Sequence, residues 1–493
     1  RSLVGSEMCI RDSYSTLRAL SARIAQQSIT DAAASQDDWV IVHDPEHRHQ
    51  PFPLTDVQRA YWLGRQTGAT SIATHIYHEF DVEHFNVTRF THAVNALIAR
   101  HEMLRARVLP DGTQQILAQV PAYQLEQRDL SALSPNARND ALMAIRDRLS
   151  HHVHPADRWP LFDFSYSACT AQHGRLHFSL DLLIADALSM RTLQQELMML
   201  YREPHVSLPL LPFSFRDYVQ ALLVEQASEA YARDQAYWQR ALPQLYGPPT
   251  LPVQGDLAQL SAIRFVRRRH RLSAHNWGVL SALAQRTRIT KTALLLTVFS
   301  QVLARWSLSP TFTLNLTLFN RPQGYPNAEA VIGDFTAVSL LNVCYDSQHS
   351  YAHNAQRIQV QLWEDLEHRR FSGIRASEAL IHSGRFHAPM PVVFTSMLDI
   401  DGETTAQDPR DTTRFTLCPD ANITQTPQVW LDHQVIELAG ELHFNWDAVE
   451  QLFDTTLLDQ MFGAYCHALQ ALVAMPQSWW GVNSSLALPT VSA

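Results

Sequence analysis

The chain lacks the features that mark several common protein classes. Its five cysteines, Cys9, Cys169, Cys344, Cys418 and Cys466, are odd in number, far apart and without a Cys-x-x-Cys pair. That pattern argues against a disulfide framework or a zinc site and fits a reducing cytoplasm. No apolar run reaches the roughly 18 residues of a membrane span. No glycine-rich phosphate loop, internal repeat or low-complexity block is present. Positive charge is not in excess: the net charge is −9 over 493 residues, so no electrostatic footprint for nucleic acid exists. The triplet Arg267 to Arg269 is locally basic and at strand spacing reads as a solvated face.

What remains is a globular composition, 46% hydrophobic and 18% charged, on a chain long enough for two or more compact units. Alternation predicts strands at 74–82, 104–108, 114–118, 161–167 and 176–183 in the first half. In the second half it predicts them at 263–272, 311–318, 337–343, 392–398, 429–438 and 441–446. Helical periodicity covers 87–100, 141–151, 187–201, one long helix over 213–241, then 274–284, 290–306, 351–368 and 455–474. Prolines at 248, 249 and 252 mark the internal linker. Two similar α/β halves follow, 51–245 and 246–475. Residues 1–13 resemble a translated sequencing adaptor and are expected to be a non-native leader. Leu17, Leu20 and Ile24 predict a helix over 14–27, polar residues make 28–50 a linker, and 476–493 reads as a linker toward another domain.

Residues 51–65, Pro-Phe-Pro-Leu-Thr-Asp-Val-Gln-Arg-Ala-Tyr-Trp-Leu-Gly-Arg, form the most specific segment. Thr55 can cap a short helix that buries Val57, Tyr61 and Trp62 and stops at Gly64. Further on stands Asp181-Leu-Leu-Ile-Ala-Asp186-Ala-Leu-Ser189, between a buried strand and a helix. These segments resemble motifs of heterocyclisation domains in non-ribosomal peptide synthetases, within the condensation-domain superfamily. The resemblance covers about 51–475. It implies two chloramphenicol-acetyltransferase-like lobes arranged as a V around a central tunnel, with 14–50 the end of an upstream carrier protein and its linker. The implied activity joins an upstream carrier-bound acyl thioester to carrier-bound cysteine, serine or threonine and then closes a thiazoline or oxazoline. An amide-only condensation domain and a non-catalytic carrier-docking domain are the rival readings. The implied partners are upstream and downstream carrier domains and an adjacent adenylation domain, as in siderophore or antibiotic assembly. Substrates would be tethered to phosphopantetheine, with no metal or diffusible cofactor in this domain.

In register with the His-His-x-x-x-Asp-Gly motif of amide-forming relatives, Asp181 replaces the first histidine and Leu182 the second, the base. Asp186 is expected to cap the next helix or pair with a buried arginine, Arg105 or Arg321, because an unpaired interior carboxylate is costly. Ser189 belongs to the same structural motif, and Asp181 stays open between scaffold and site. The segment His151-His-Val-His154 is a decoy with wrong spacing. Its i, i+1, i+3 geometry does not converge on one metal ion, and a helix end facing solvent accounts for it.

Three later segments resemble the remaining family motifs: Asn320-Arg-Pro followed by Val331-Ile-Gly-Asp-Phe-Thr336, then Pro391-Val-Val-Phe-Thr-Ser-Met-Leu398, then Gln425 to Gln434. Cyclodehydration must protonate a leaving oxygen and deprotonate a ring nitrogen, work for a carboxyl of raised pKa. Asp432 is the expected catalytic carboxyl, with Thr395 orienting it. Asn320, Ser396, Gln428 and Gln434 are further tunnel candidates beside Asp181. His433 should face away, since neighbouring strand residues point to opposite faces.

Overall fold

The opening helix shows how local sequence sets the architecture. Thr55 accepts from the Gln58 backbone while the Gln58 side chain accepts from the Thr55 N–H, a reciprocal capping box. Along the first half run β1 (Phe52–Pro53), α1 (Asp56–Gly64), β2 (His75–Glu83), α2 (Val87–Arg100), β3 (Ala106–Val108), β4 (Thr113–Ile116) and β5 (Glu126–Asp129). Then come α3 (Pro135–Ser150), β6 (Phe162–Ala168), β7 (His173–Asp181), α4 (Ala187–Arg202), α5 (Phe215–Glu225) and α6 (Glu229–Ala241). The second half holds β8 (Phe265–Leu272), α7 (Ala274–Thr287), α8 (Lys291–Trp306), β9 (Thr311–Phe319), β10 (Thr336–Cys344), α9 (Tyr351–Glu367) and α10 (Gly373–His382). It ends with β11 (Val392–Met397), β12 (Arg414–Leu417), β13 (Ile423–Gln425), β14 (Leu431–Leu438), β15 (Glu441–Val449) and α11 (Thr455–Ala474). This computed structural model describes residues 40–66, 74–255, 257, 260, 263–322, 324–386, 390–398, 413–418 and 421–481. The expected leader and the helix at 14–27 lie outside them.

Beside a small sheet of order β1-β4-β3, two large sheets carry the molecule. One has the order β10-β9-β11-β14-β15-β8, with β11 parallel to both neighbours. Helix α8 is buried nearly all round, from Ala293 to Leu303, because its apolar residues are not confined to one face. The other sheet runs β2-β7-β6-β5, and its outer edge on β2 is filled by β12 and β13. Those two strands come from residues 414–425, so second-half chain completes the first-half sheet. Residues Ala328, Val331, Ile332 and Phe335 likewise join the first-half core, and Trp238 of α6 packs with Leu340, Phe371 and Leu380. A mixed α/β fold with two lobes is thus observed, with polypeptide exchanged across residue 245.

The single helix expected over 213–241 is two, because Ser228 caps a fresh start by accepting from the Tyr231 N–H at 3.0 Å. Helix α3 begins at Pro135, six residues before the expected start, with Ser134 as its cap. Of the basic triplet Arg269 is exposed, as expected of a solvated face, whereas Arg267 and Arg268 are engaged in ion pairs. Arg267 forms a buried pair with Asp447 at 2.7 and 2.5 Å, and Arg268 meets Asp459 and Glu450. Four of the cysteines, Cys169, Cys344, Cys418 and Cys466, are free thiols. Among the described residues no helix is long and apolar enough to cross a membrane.

Candidate active site

Strand alternation sorts the β10-β9-β11-β14-β15-β8 sheet into an apolar face and a polar one. Phe394, His433, Phe444 and Trp446 point toward α8 and α11, where His433 packs on Phe299, Phe394, Trp446 and Tyr465. On the opposite face, register aligns Thr317 of β9 with Thr395 of β11, Thr395 with Gln434 of β14, and Asp432 with Asp447 of β15. Arg267 of β8 continues that row beyond Asp447. His433 therefore does not share the Asp432 face, as alternation requires.

Asp432 is buried on this polar face. Its Oδ2 accepts from Gln434 Nε2 at 2.6 Å and its Oδ1 from Thr395 Oγ1 at 3.3 Å. Gln434 is itself held by Asn445, whose Nδ2 donates to Gln434 Oε1 at 3.2 Å. Burial pushes the Asp432 pKa from its ordinary 3.8 up to about 7, and the nearby Asp447 charge adds to the rise. The Gln434 and Thr395 hydrogen bonds and the Arg267 charge oppose it. The balance leaves a carboxyl that can hold or release a proton near neutrality.

The Asp-x-x-x-x-Asp-x-x-Ser segment forms a second cluster. Arg65 Nη2 donates to both Asp181 oxygens, at 2.9 and 3.0 Å, and the Leu183 N–H adds a third bond to Oδ1. Gln58 Nε2 donates to the Leu183 carbonyl at 2.7 Å, so α1 grips this turn twice. Asp186 caps α4 by accepting from the Ser189 N–H at 2.6 Å and pairs with Arg321 at 2.8 Å. Ser189 Oγ accepts from Arg321 and donates to the Gly333 carbonyl, which ties the 320–335 crossover to the first lobe. Gly333 is required there: a Cβ would stand 2.1 Å from Phe215 Cδ2. Arg105, the other arginine considered for Asp186, instead donates to the Ile98, Ala99 and Leu117 carbonyls.

Tyr61 of α1 links the clusters. Burial, then the charges of Asp334, Asp432 and Asp186, hold its phenol well above its ordinary pKa. Thus the opening helix lies within electrostatic reach of both the first-lobe turn and the Asp432 face. The same helix is fastened to α10, where Ser372 and Arg375 donate to Asp56 at 2.7 and 2.8 Å.

Three candidate residues lie elsewhere. Ser396 shares strand parity with Phe394, not Thr395, and its hydroxyl meets Thr292 at 2.9 Å at the start of α8. Gln428 is exposed in a turn with φ 64°. The Asn320 amide meets Tyr218, whose hydroxyl also donates to the Asn320 carbonyl at 3.1 Å. His154 is not at a solvent-facing helix end: it is buried, 3.1 Å from the Ser179 hydroxyl, which also meets His75. Among the described residues no group of three His, Cys, Asp or Glu is arranged to hold a metal.

Sequence reasoning missed Thr317, Asn445, Asp447 and Arg267 around Asp432, and Asp334 beside Asp186. Thr313, Asn315 and Thr317 alternate on one strand, as do Asn445 and Asp447 on another, so a polar strand face was there to be read. Asp334 is buried, its Oδ1 accepting from the Thr336 N–H at 3.1 Å. Burial and the Asp186 charge hold its pKa well above the usual carboxylate range.

The sequence model of the condensation domain matches residues 48–482, and the chain belongs to that family. Within it, the chain is 36% identical over 454 residues to pyochelin synthetase PchF of Pseudomonas aeruginosa, covering 88% of this chain and 24% of that protein. It is 36% identical over 456 residues to phenyloxazoline synthase MbtB of Mycolicibacterium paratuberculosis, covering 91% and 38%. The chain thus spans well under half of these curated relatives. The crystal structure of the EpoB cyclization-docking bidomain from Sorangium cellulosum superposes with a TM-score of 0.81 at 36% identity, covering 94% of each chain.

Proposed function

We propose that this domain joins an upstream carrier-bound acyl thioester to a carrier-bound cysteine, serine or threonine and then cyclises and dehydrates the product to a thiazoline or oxazoline. The observation that carries the reading is the buried Asp432 carboxyl, poised near neutrality and held by Thr395 and Gln434. Similarity to a phenyloxazoline synthase and to a cyclization-docking bidomain favours the same chemistry.

The side chain of the neighbouring residue adds its thiol or hydroxyl to the new amide carbonyl, and the carbonyl oxygen becomes a hydroxyl. Protonated Asp432 gives its proton to the departing hydroxyl, which leaves as water while the nitrogen lone pair forms the C=N bond, and the resulting carboxylate takes the proton from the ring nitrogen, which restores the acid. Thr395 orients the carboxyl through both states. Condensation itself needs chiefly placement, since two substrates held on phosphopantetheine arms gain effective concentration. Asp181, locked by Arg65 at the place where the resemblance puts an imidazole in amide-forming condensation domains, shapes the first-lobe turn and moves no proton. Carrier domains on both sides and an adenylation domain are the partners this reading requires, and no metal enters it.

The test is reconstitution with flanking carriers loaded with cysteine, serine or threonine, followed by mass spectrometry of the carrier-bound product. A dipeptidyl thioester lacking one further water supports the reading. An intact dipeptide would make this an amide-only domain, and no product would make it a docking domain.

A further inference from the structure

A chain of hydroxyls leads away from buried Asp432 to a partly exposed threonine. Thr395 Oγ1 lies 3.3 Å from Asp432 Oδ1 and 2.9 Å from Thr317 Oγ1. Asp432 and Thr395 are buried, whereas Thr317 is half-exposed. Thr395 has a single proton, so it cannot donate to both neighbours at once. The direction of that proton must follow the state of Asp432.

Gln434 decides which oxygen carries the acid proton. Its amide N–H faces Oδ2, an orientation held by Asn445, so Oδ2 is an acceptor in both states. A proton on Asp432 therefore sits on Oδ1 and points at Thr395. Thr395 must then accept that hydrogen bond and donate its own to Thr317. When Asp432 is ionised the order reverses: Thr395 donates to Asp432 and accepts from Thr317. The protonated acid thus needs Thr317 as an acceptor, whereas the carboxylate does not.

We propose that Thr317 is a positioning residue for the cyclodehydration step, which takes the terminal hydrogen bond that lets Thr395 accept a hydrogen bond from protonated Asp432. The proposal rests on the assignment of Asp432 as the proton-transfer group. Without the Thr317 hydroxyl, protonated Asp432 would strand the Thr395 proton in a buried site, whereas ionised Asp432 would leave only a lone pair unmatched. An orphaned donor is the costlier of the two. The titratable and charged groups facing Asp432 are Asp447 on β15, Arg267 on β8 and Tyr61 on α1, and none contacts Thr317 in the hydrogen-bond network.

Infrared titration of the full chain follows the Asp432 carboxyl band, identified as the band missing in Asp432→Asn. Thr317→Val should move its midpoint down by about one pH unit, the size of one neutral hydrogen bond. Thr317→Ser, which restores the hydroxyl, should return the midpoint to the wild-type value. In reconstitution, the ratio of cyclised to linear product should shift along the pH axis in the same direction. An unmoved midpoint in Thr317→Val, or no recovery in Thr317→Ser, would overturn the role of Thr317. Cyclisation at the wild-type rate by Asp432→Asn would instead overturn the assignment of Asp432, so the two failures are distinguishable.

Discussion

Replacing Asp432 by asparagine should shift stability in favour of the variant progressively as pH rises from acid toward neutrality. The unfolded chain ionises this carboxyl near its ordinary 3.8, while the folded protein holds the proton until about 7. Between those values the native state binds more protons than the unfolded state, so wild-type stability falls as pH rises and levels off above about 7. A shift of this size corresponds to about 4 kcal/mol of stability given up at pH 8 relative to pH 4. Asparagine cannot ionise and removes that slope. Its amide must turn to face Thr395 and Gln434, which adds an offset that does not vary with pH. The assay is urea unfolding of both proteins from pH 4 to pH 8, reading the difference in stability rather than either curve. That difference should grow in favour of Asp432→Asn up to about pH 7 and then stay flat. A difference constant across the range would mean that Asp432 titrates as an ordinary carboxylate, and the case for a tuned acid would fall with it.

Asp186→Ala removes an N-cap and one partner of a buried ion pair, and should cost about 3–5 kcal/mol, read as a melting temperature well below that of Asp157→Ala on the surface. Asp186→Asn keeps the cap and should lose less; a fully stable but inactive Asp186→Ala protein would move this residue from scaffold to catalyst. The infrared midpoint of the Asp432 carboxyl band should move in opposite directions in two variants: up in Thr395→Ala, which loses a donor to the carboxylate, and down in Asp447→Asn, which loses a repelling charge. Shifts of the same sign would contradict the stated causes of the Asp432 pKa. Arg65→Met strands the buried Asp181 carboxylate, so a double-mutant cycle with Asp181→Leu should show a coupling of about 3 kcal/mol, whereas strictly additive losses would show the pair to be unimportant.

Much of the site was legible because its signals are local. The Thr55 cap, the Asp186 cap and the separation of Asp432 from His433 each follow from a few adjacent residues. The same alternation that turned His433 inward also turns Ser396 away from Thr395, so that candidate contradicted a rule already in hand. Gln428 lies in a left-handed turn just ahead of β14, where strand spacing does not extend. Other features depend on pairings that no local pattern encodes. Arg65 meets Asp181 across 116 positions, and Arg321 meets Asp186 across 135. Thr317 joins Asp432 only because β9, β11 and β14 are neighbours, an order set by the crossovers and not by any strand's own residues. Strands β12 and β13, four and three residues long, have too little period to read and exist by pairing with β2.

The most direct measurement is the mass of the carrier-bound product made by Asp432→Asn with cysteine on the acceptor carrier. If Asp432 moves protons only after the amide exists, the variant accumulates a linear dipeptidyl thioester, one water heavier than the wild-type product. Thr395→Ala should show the same intermediate, and the double variant should be little worse than either, because residues acting as one unit do not lose function additively. Loss of the amide itself would assign the pair to condensation or to the integrity of the site. Wild-type cyclisation in both would place the catalytic carboxyl elsewhere and contradict the account.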